Sequence, residues 1–193
     1  MNIEYEATFL NIEKDDIRKR LKMAGAVLVR PEHVQKRKTF QLPKEKRSEG
    51  AWLRVRDEGD KITMSLKIID GEAITDQKEI CLEVNDFLSA CELLSMIGCE
   101  EKSYQVTKRE LWTLDGVEVT IDEWPFLDPF VEVEGNSEAS VKNVSEKLGF
   151  AYSEALFCAI GTLYQLKYGI TLDEINNRTP LLDFDMKNPF VVP

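Results

Sequence analysis

The chain has 193 residues, 43% of them hydrophobic and 31% charged, proportions that suit a folded globular protein and argue against a disordered one. Its 25 basic and 35 acidic side chains give a net charge of −10, a field that repels nucleic acid and anionic membranes over most of the surface. No apolar run approaches the roughly 20 residues that cross a bilayer, and "MNIEYEATF" lacks the basic start and apolar block of a secretory signal. The expectation is therefore a cytoplasmic protein with neither a nucleic-acid nor a membrane partner.

From the N-terminus, "NIEYEATFL" reads as a strand with Ile3, Tyr5, Ala7 and Phe9 on one face and Glu4, Glu6 and Thr8 on the other. "IEKDDIRKRLKMAGA" follows with Ile12, Ile17, Leu21 and Met23 at helical spacing and Gly25 as its stop. His33, between Glu32 and Val34, reads as a solvated loop residue. The basic stretch "KRKTFQLPKEKR", residues 36–47, reads as a solvated loop or as a rim that attracts a small polyanion, with a strand near "VQKRKTFQL". "AWLRVRD" and "KITMSLKIID" alternate at period two about the hairpin signal "DEGD", and "KEICLEV" alternates after them.

"NDFLSACELLSMIG" is helical, with Asn85 as the expected N-cap and Gly98 as the stop. Strands "YQVTKRELW", "VEVTID" and "PFVEVEG" come next, the first two joined by "TLDG". Helices are expected again over "SEASVKNVSEKLG" and "SEALFCAIGTLYQLKYG". The tail "TLDEINNRTPLLDFDMKNPFVVP" begins with a capped turn and ends irregularly. Four cysteines, Cys81, Cys91, Cys99 and Cys158, form no C-x-x-C pair and have one histidine to join them, so zinc has little support and reduced, mostly buried thiols are expected.

About eight strands in adjacent antiparallel pairs, with four or so helices, give an α+β fold, and closure into a barrel removes the exposed edges. Collected strand by strand, the polar faces carry Glu4 and Glu6, Gln35 and Arg37, Arg54 and Arg56, Lys67, Gln77 and Glu79, Thr107 and Arg109, Glu118 and Asp122, and Glu132 and Glu134. An ordinary half-buried sheet with its charged side in water shows the same alternation. The amphipathic helices, however, need an apolar surface to cover. If they take the outer face, the charges line a lumen where they must be wet, paired or ligand-bound. Carboxylates suit Mg²⁺ or Mn²⁺, and arginine and lysine suit phosphate oxygens. Together they would suit a metal-complexed polyphosphate.

The ordered set of an N-terminal E-x-E, the R-x-R of "WLRVRDEG", Lys67 in "ITMSLK", "KRELW", "TID" and "FVEVEG" resembles the CYTH superfamily of triphosphate tunnel metalloenzymes over roughly residues 1–170. The resemblance implies a closed eight-stranded antiparallel β-barrel with helices packed outside. A CYTH domain would span 1–170, with a tail at 171–193 packing on it or extending it. It further implies that Glu4, Glu6, Asp122, Glu132 and Glu134 hold one or two Mg²⁺ or Mn²⁺ ions, and that Arg54, Arg56, Lys67 and Arg109 grip a triphosphate; Arg37 joins them from its face assignment. Glu4, Glu6, Lys67 and Arg109 are the expected catalytic residues.

The implied partner is ATP, thiamine triphosphate or tripolyphosphate, and a homodimer is left open. Hydrolysis is the leading activity, cyclisation of ATP to cyclic AMP an alternative. Where the family pattern has cations, this chain has Thr8, Thr107 and Gln77, which motivates a third reading, a module that binds a phosphorylated ligand without turnover.

Overall fold

The computed structural model describes residues 1–48 and 50–191. In chain order the elements are β1 (Asn2–Ile3), β2 (Tyr5–Phe9), α1 (Lys14–Met23), β3 (Val27–Gln41), β4 (Ala51–Asp57), β5 (Ile62–Ile69), β6 (Gln77–Val84), α2 (Phe87–Met96), β7 (Glu100–Leu114), β8 (Val117–Glu123), β9 (Phe130–Gly135), α3 (Glu138–Lys147), α4 (Ile160–Tyr168), α5 (Leu172–Asn177) and β10 (Leu181–Leu182).

The sheet runs β1-β6-β5-β4-β3-β7-β8-β9-β2, with β10 added in parallel on β7. Its two ends, β1 and β2, are successive halves of one extended segment broken at Glu4, so the sheet closes on itself as a barrel of eight antiparallel staves. At the seam, Asn2 and Ile3 pair with Glu79 and Lys78, and the Glu4 amide donates to the Gln77 carbonyl at 2.9 Å. Further along, β2 takes a different partner: Thr8 and Leu156 exchange backbone hydrogen bonds of 2.9 and 3.0 Å. This accounts for a departure from the expected helix over 153–169, which forms only at α4. The seam leaves unpaired groups on β2, and residue 156 satisfies those of Thr8 through an isolated antiparallel bridge.

The outer apolar positions are covered by helices in two places. Ile17 and Leu21 of α1 and Val141 and Val144 of α3 bury Ala7, Phe9, Val119, Ile121, Val131 and Val133. Ala90, Cys91 and Leu94 of α2 cover Phe40 and Val55. α1 is also pinned to β7 by Arg18, whose Nη2 and Nε reach Glu110 Oε2 at 2.8 and 3.0 Å, while Trp112 Nε1 donates to Glu110 Oε1 at 2.7 Å. The outer face of β6 lacks such a cover, and Ile80 and Leu82 stay exposed.

A third apolar cluster gathers where β8 ends and β9 begins. Leu163 and Tyr164 of α4, Ile175 of α5 and Leu182 of β10 pack on Trp124 and Phe130. The Tyr164 hydroxyl donates to the Pro125 carbonyl at 2.7 Å, and Ser103 at the start of β7 donates to the Thr179 carbonyl at 2.8 Å.

Several local expectations shift. Asp86, not Asn85, caps α2, because its Oδ1 is the side-chain oxygen that accepts from the Ser89 amide, at 2.7 Å. His33 lies in β3 rather than in a loop: the strand passes Pro31, which lacks an amide donor, through a register shift between Arg30 and His33. Residues 36–41 of the basic stretch are likewise strand. The four cysteines are free, but only Cys91 and Cys99 are buried; Cys158 is intermediate and Cys81 exposed. No helix is long and apolar enough to cross a membrane.

Candidate functional site in the barrel lumen

Period-two alternation, carried around a closed barrel, sends the polar faces inward. Arg37 on β3, Arg54 and Arg56 on β4, Lys67 on β5, Glu79 on β6, Arg109 on β7, Asp122 on β8, Glu132 and Glu134 on β9, and Glu4 and Glu6 on the N-terminal stave share one lumen, linked by ion pairs that cross it. Every site residue expected from the sequence therefore lies on the inner face.

The cations gather on neighbouring staves. Arg37 is in register with Arg56, and Arg54 with Thr39, so β3 and β4 present three guanidinium groups side by side. Arg37 is 4% exposed, its ring-like plane lies 4.6 Å from the Trp124 ring centroid, and its Nη2 donates to Thr107 Oγ1 at 2.7 Å and Gln35 Oε1 at 2.9 Å. Arg54 pairs with Glu79 at 3.0 Å and Arg56 with Glu58 at 2.6 Å. The Nε atoms of Arg37, Arg54 and Arg56 are buried with no hydrogen-bond partner among the described residues. Burial, then repulsion from Arg54 and Arg109, lowers the Arg56 guanidinium to about 10. Burial followed by Arg56, Arg54 and Arg109 lowers that of Arg37 as well. Crowded, desolvated donors of one sign suit an anion by charge and hydrogen-bonding capacity.

Carboxylates gather opposite. Glu6 is in register with Glu134, and Glu134 with Glu118 across the next pair. Burial, with Glu134 and Glu4 adding to it against Lys67, lifts Glu6 to about 7. Burial with Glu6 and Asp122 lifts Glu132 to about 8. Glu4 is raised by burial to about 7 although Lys67 Nζ stands 2.8 Å from its Oε2. Glu79 behaves oppositely: Lys67 and Arg54 outweigh its burial and hold it at about 2.

Arg109 bridges the two groups. Its Nε and Nη2 donate to Asp122 at 2.7 and 3.0 Å, and Nη2 also reaches Glu132 Oε2 at 2.5 Å. Burial notwithstanding, Asp122 and Glu132 raise its affinity for the proton. The five candidate metal carboxylates are thus not equally free: Arg109 engages Asp122 and Glu132, and Lys67 engages Glu4, while no lysine or arginine among the described residues pairs with Glu6 or Glu134.

Thr8, Thr107 and Gln77 are buried at the inner positions where cations were expected. Gln77 Nε2 donates to the Glu6 carbonyl at 3.1 Å. Two members of the site escaped sequence analysis. Glu58 continues the alternation of Arg54 and Arg56 into the hairpin, and Trp124 continues that of Thr120 and Asp122; reading the period two residues further would have found both. Glu79 stood on the polar face but was not counted among the site residues.

A CYTH domain profile matches residues 2–159. No curated protein matches the chain significantly. Among solved structures, a conserved hypothetical protein from Pyrococcus furiosus is similar at 23% identity and a TM-score of 0.68, covering 83% of this chain and 99% of its own. A Vibrio parahaemolyticus protein named as a candidate adenylate cyclase is similar at 11% identity and a TM-score of 0.74, covering 85% of this chain and 98% of its own. A candidate adenylyl cyclase from Hippeastrum with a dominant triphosphatase activity is similar at 12% identity and a TM-score of 0.55, covering 90% of this chain and 99% of its own. With the profile extending over most of the sequence and the barrel shared with these structures, the chain belongs to the CYTH domain family.

Proposed function

We propose that the lumen binds a triphosphate compound together with Mg²⁺ or Mn²⁺ and hydrolyses it. One observation carries the reading: three arginines in adjacent positions keep buried, unpartnered Nε donors and face a set of crowded carboxylates. Such donors match phosphate oxygens in charge and geometry. The carboxylates fit a hard divalent cation by donor chemistry, since all five candidates offer oxygen and the in-register pair Glu6 and Glu134 has no lysine or arginine partner among the described residues. When bound, such a cation would neutralise phosphate oxygens and orient a water.

The chain's own groups do the remaining work. Arg54, Arg56, Lys67, Arg109 and Arg37 hold the phosphate chain and stabilise charge that develops on it, which is most of what phosphoryl transfer needs. Glu4 and Glu6 with Glu132, Glu134 and Asp122 hold the cation. Incubating the protein with ATP, thiamine triphosphate and tripolyphosphate in Mg²⁺ or Mn²⁺, and scoring phosphate and cyclic AMP, tests the reading. Phosphate release supports it, and cyclic AMP with pyrophosphate would replace it by cyclisation.

A second reading has its own support. Thr8, Thr107 and Gln77 are neutral and already buried among protein partners, so the lumen carries fewer cations than the family pattern. A ligand held without turnover follows if all three compounds bind and none yields product.

A further inference from the structure

The connection between β8 and β9 begins with a tight turn. The Leu127 amide donates to the Trp124 carbonyl at 3.1 Å, Pro125 takes the second position and Phe126 the third, with φ +67°. Proline followed by positive φ is the type II pattern, whose third position favours glycine or asparagine. Among the described residues, the other non-glycine positions at positive φ are Asn11 and Asp115, types that tolerate this region. An aromatic residue there is strained.

Such strain persists only where surrounding contacts over-determine it. Here the contacts come from α4 and the tail, which lie beyond the 2–159 span of the family match. Two hydroxyls of α4 hold successive carbonyls of the turn: Tyr164 donates to Pro125 at 2.7 Å, and Tyr168 to Phe126. From the tail, Asn188 Nδ2 donates to the Tyr168 hydroxyl at 3.0 Å. The Phe190 ring lies 6.2 Å from that of Phe126 and 5.3 and 5.4 Å from those of Tyr164 and Tyr168. Glycine would satisfy the turn, but it would give the tail no ring to pack on.

The first residue of the turn reaches the lumen. Trp124 is buried, and its ring centroid lies 4.6 Å from the Arg37 guanidinium carbon. The side-chain hydrogen bonds of that guanidinium, to Gln35 and Thr107, both leave from Nη2. Two bonds at one nitrogen leave the plane free to tilt, and the flat indole is what fixes it.

Building on the triphosphate reading above, we propose that Phe126 is a positioning residue: gripped by α4 and the tail, it locks the turn that sets Trp124 on Arg37, and so aims the Arg37 guanidinium at the bound anion. Tyr168 serves the same end by holding the Phe126 carbonyl.

Calorimetric titration of the full chain with tripolyphosphate in Mg²⁺, arranged as a double-mutant cycle, tests this. Phe126→Gly keeps a residue that accepts positive φ and removes the gripped ring; it is expected to weaken binding about fivefold. Arg37→Gln is expected to weaken it about tenfold or more, the scale of a charge-assisted hydrogen bond. In the Arg37→Gln background, Phe126→Gly should change affinity by less than about twofold, because its effect passes through that guanidinium. A general loosening of the fold would instead weaken both backgrounds alike. Tyr168→Phe removes one hydroxyl and keeps the ring; it should weaken binding about threefold with the same dependence on Arg37, and it serves if the Phe126→Gly protein does not fold. Leu166→Gln, at an exposed position of α4, should leave affinity unchanged. Equal effects in the two backgrounds, or wild-type affinity in the folded Phe126→Gly and Tyr168→Phe proteins, overturn the proposal and leave the triphosphate reading standing. Wild-type affinity in the Arg37→Gln protein overturns it as well, by removing Arg37 from the site. No binding by the wild-type chain overturns the triphosphate reading and the proposal with it.

Discussion

On β3 and β4, Arg37 stands opposite Arg56, and on β2 and β9, Glu6 stands opposite Glu134. Both arrangements put like charges in direct register inside one lumen, a placement that costs stability unless something of opposite sign intervenes. The two regions respond differently. Guanidinium groups stay charged even when lowered, as Arg56 is to about 10, so the cationic side keeps donors free for an anion. Carboxylates can take up a proton instead, and Glu6 and Glu132 are raised to about 7 and about 8. The cationic side therefore keeps its charge at ordinary pH, whereas the charge of the acidic side changes with pH near neutrality.

The largest effect expected from breaking this contrast is at Glu132. Replacing it by alanine should cut triphosphate turnover about 100-fold or more and weaken Mg²⁺ or Mn²⁺ binding, on the scale of losing a charge-stabilising group. Unchanged cation affinity and turnover in a destabilised protein would reduce the lumen to a structural feature.

Arg109→Met should show what joins the two sides. It strands Asp122, which is fully buried, and the expected loss of stability is about 3–5 kcal/mol by denaturant unfolding. A loss under about 1 kcal/mol, the range of an exposed ion pair, would mean that Asp122 does not depend on that contact.

A smaller, reversible effect is expected from pH. Glu4, Glu6 and Glu132 bind protons more tightly in the folded chain than in the unfolded one, where the ordinary value is 4.5. The folded state thus holds the extra protons between about pH 5 and 8, and its stability falls as pH rises through that window. In chelator, the melting temperature should drop by a few degrees from about pH 5 to 8, and saturating Mg²⁺ should reduce the drop by favouring the ionised carboxylates. A melting temperature that is flat or rises over this range in chelator would count against the crowded-acid description.

The smallest expected change sharpens the contrast. Thr8→Lys adds a cation to the acidic side beside Glu132, its register partner, and should raise turnover several-fold if a missing charge at that position limits the reaction. No gain, with the fold intact, assigns the limit elsewhere.

Much of this site was legible because strands have a period of two. Once Glu4 is placed, Glu6 and Thr8 follow to the same face, and the same holds for Arg54 with Arg56 and Glu132 with Glu134. The hairpin at Asp115 and Gly116 was legible for a local reason as well, both residues taking the positive φ, 53° and 78°, that such a tight turn demands. Residues 153–159 were not, since their helical pattern yields to a backbone need of Thr8, a residue distant in sequence.

By itself, then, the sequence determined which side chains share a face, because alternation is a property of each strand alone, and it determined the helix stops where glycine relieves positive φ, as at Gly25 with φ +83°. Only the tertiary structure decided that these faces meet in one lumen, that Arg37 falls opposite Arg56 and over Trp124, and that α4, α5 and the tail pack on Trp124 and Phe130. Register and barrel closure arise from pairing between distant segments, and the C-terminal segments are short, with no long period to announce the surface they cover.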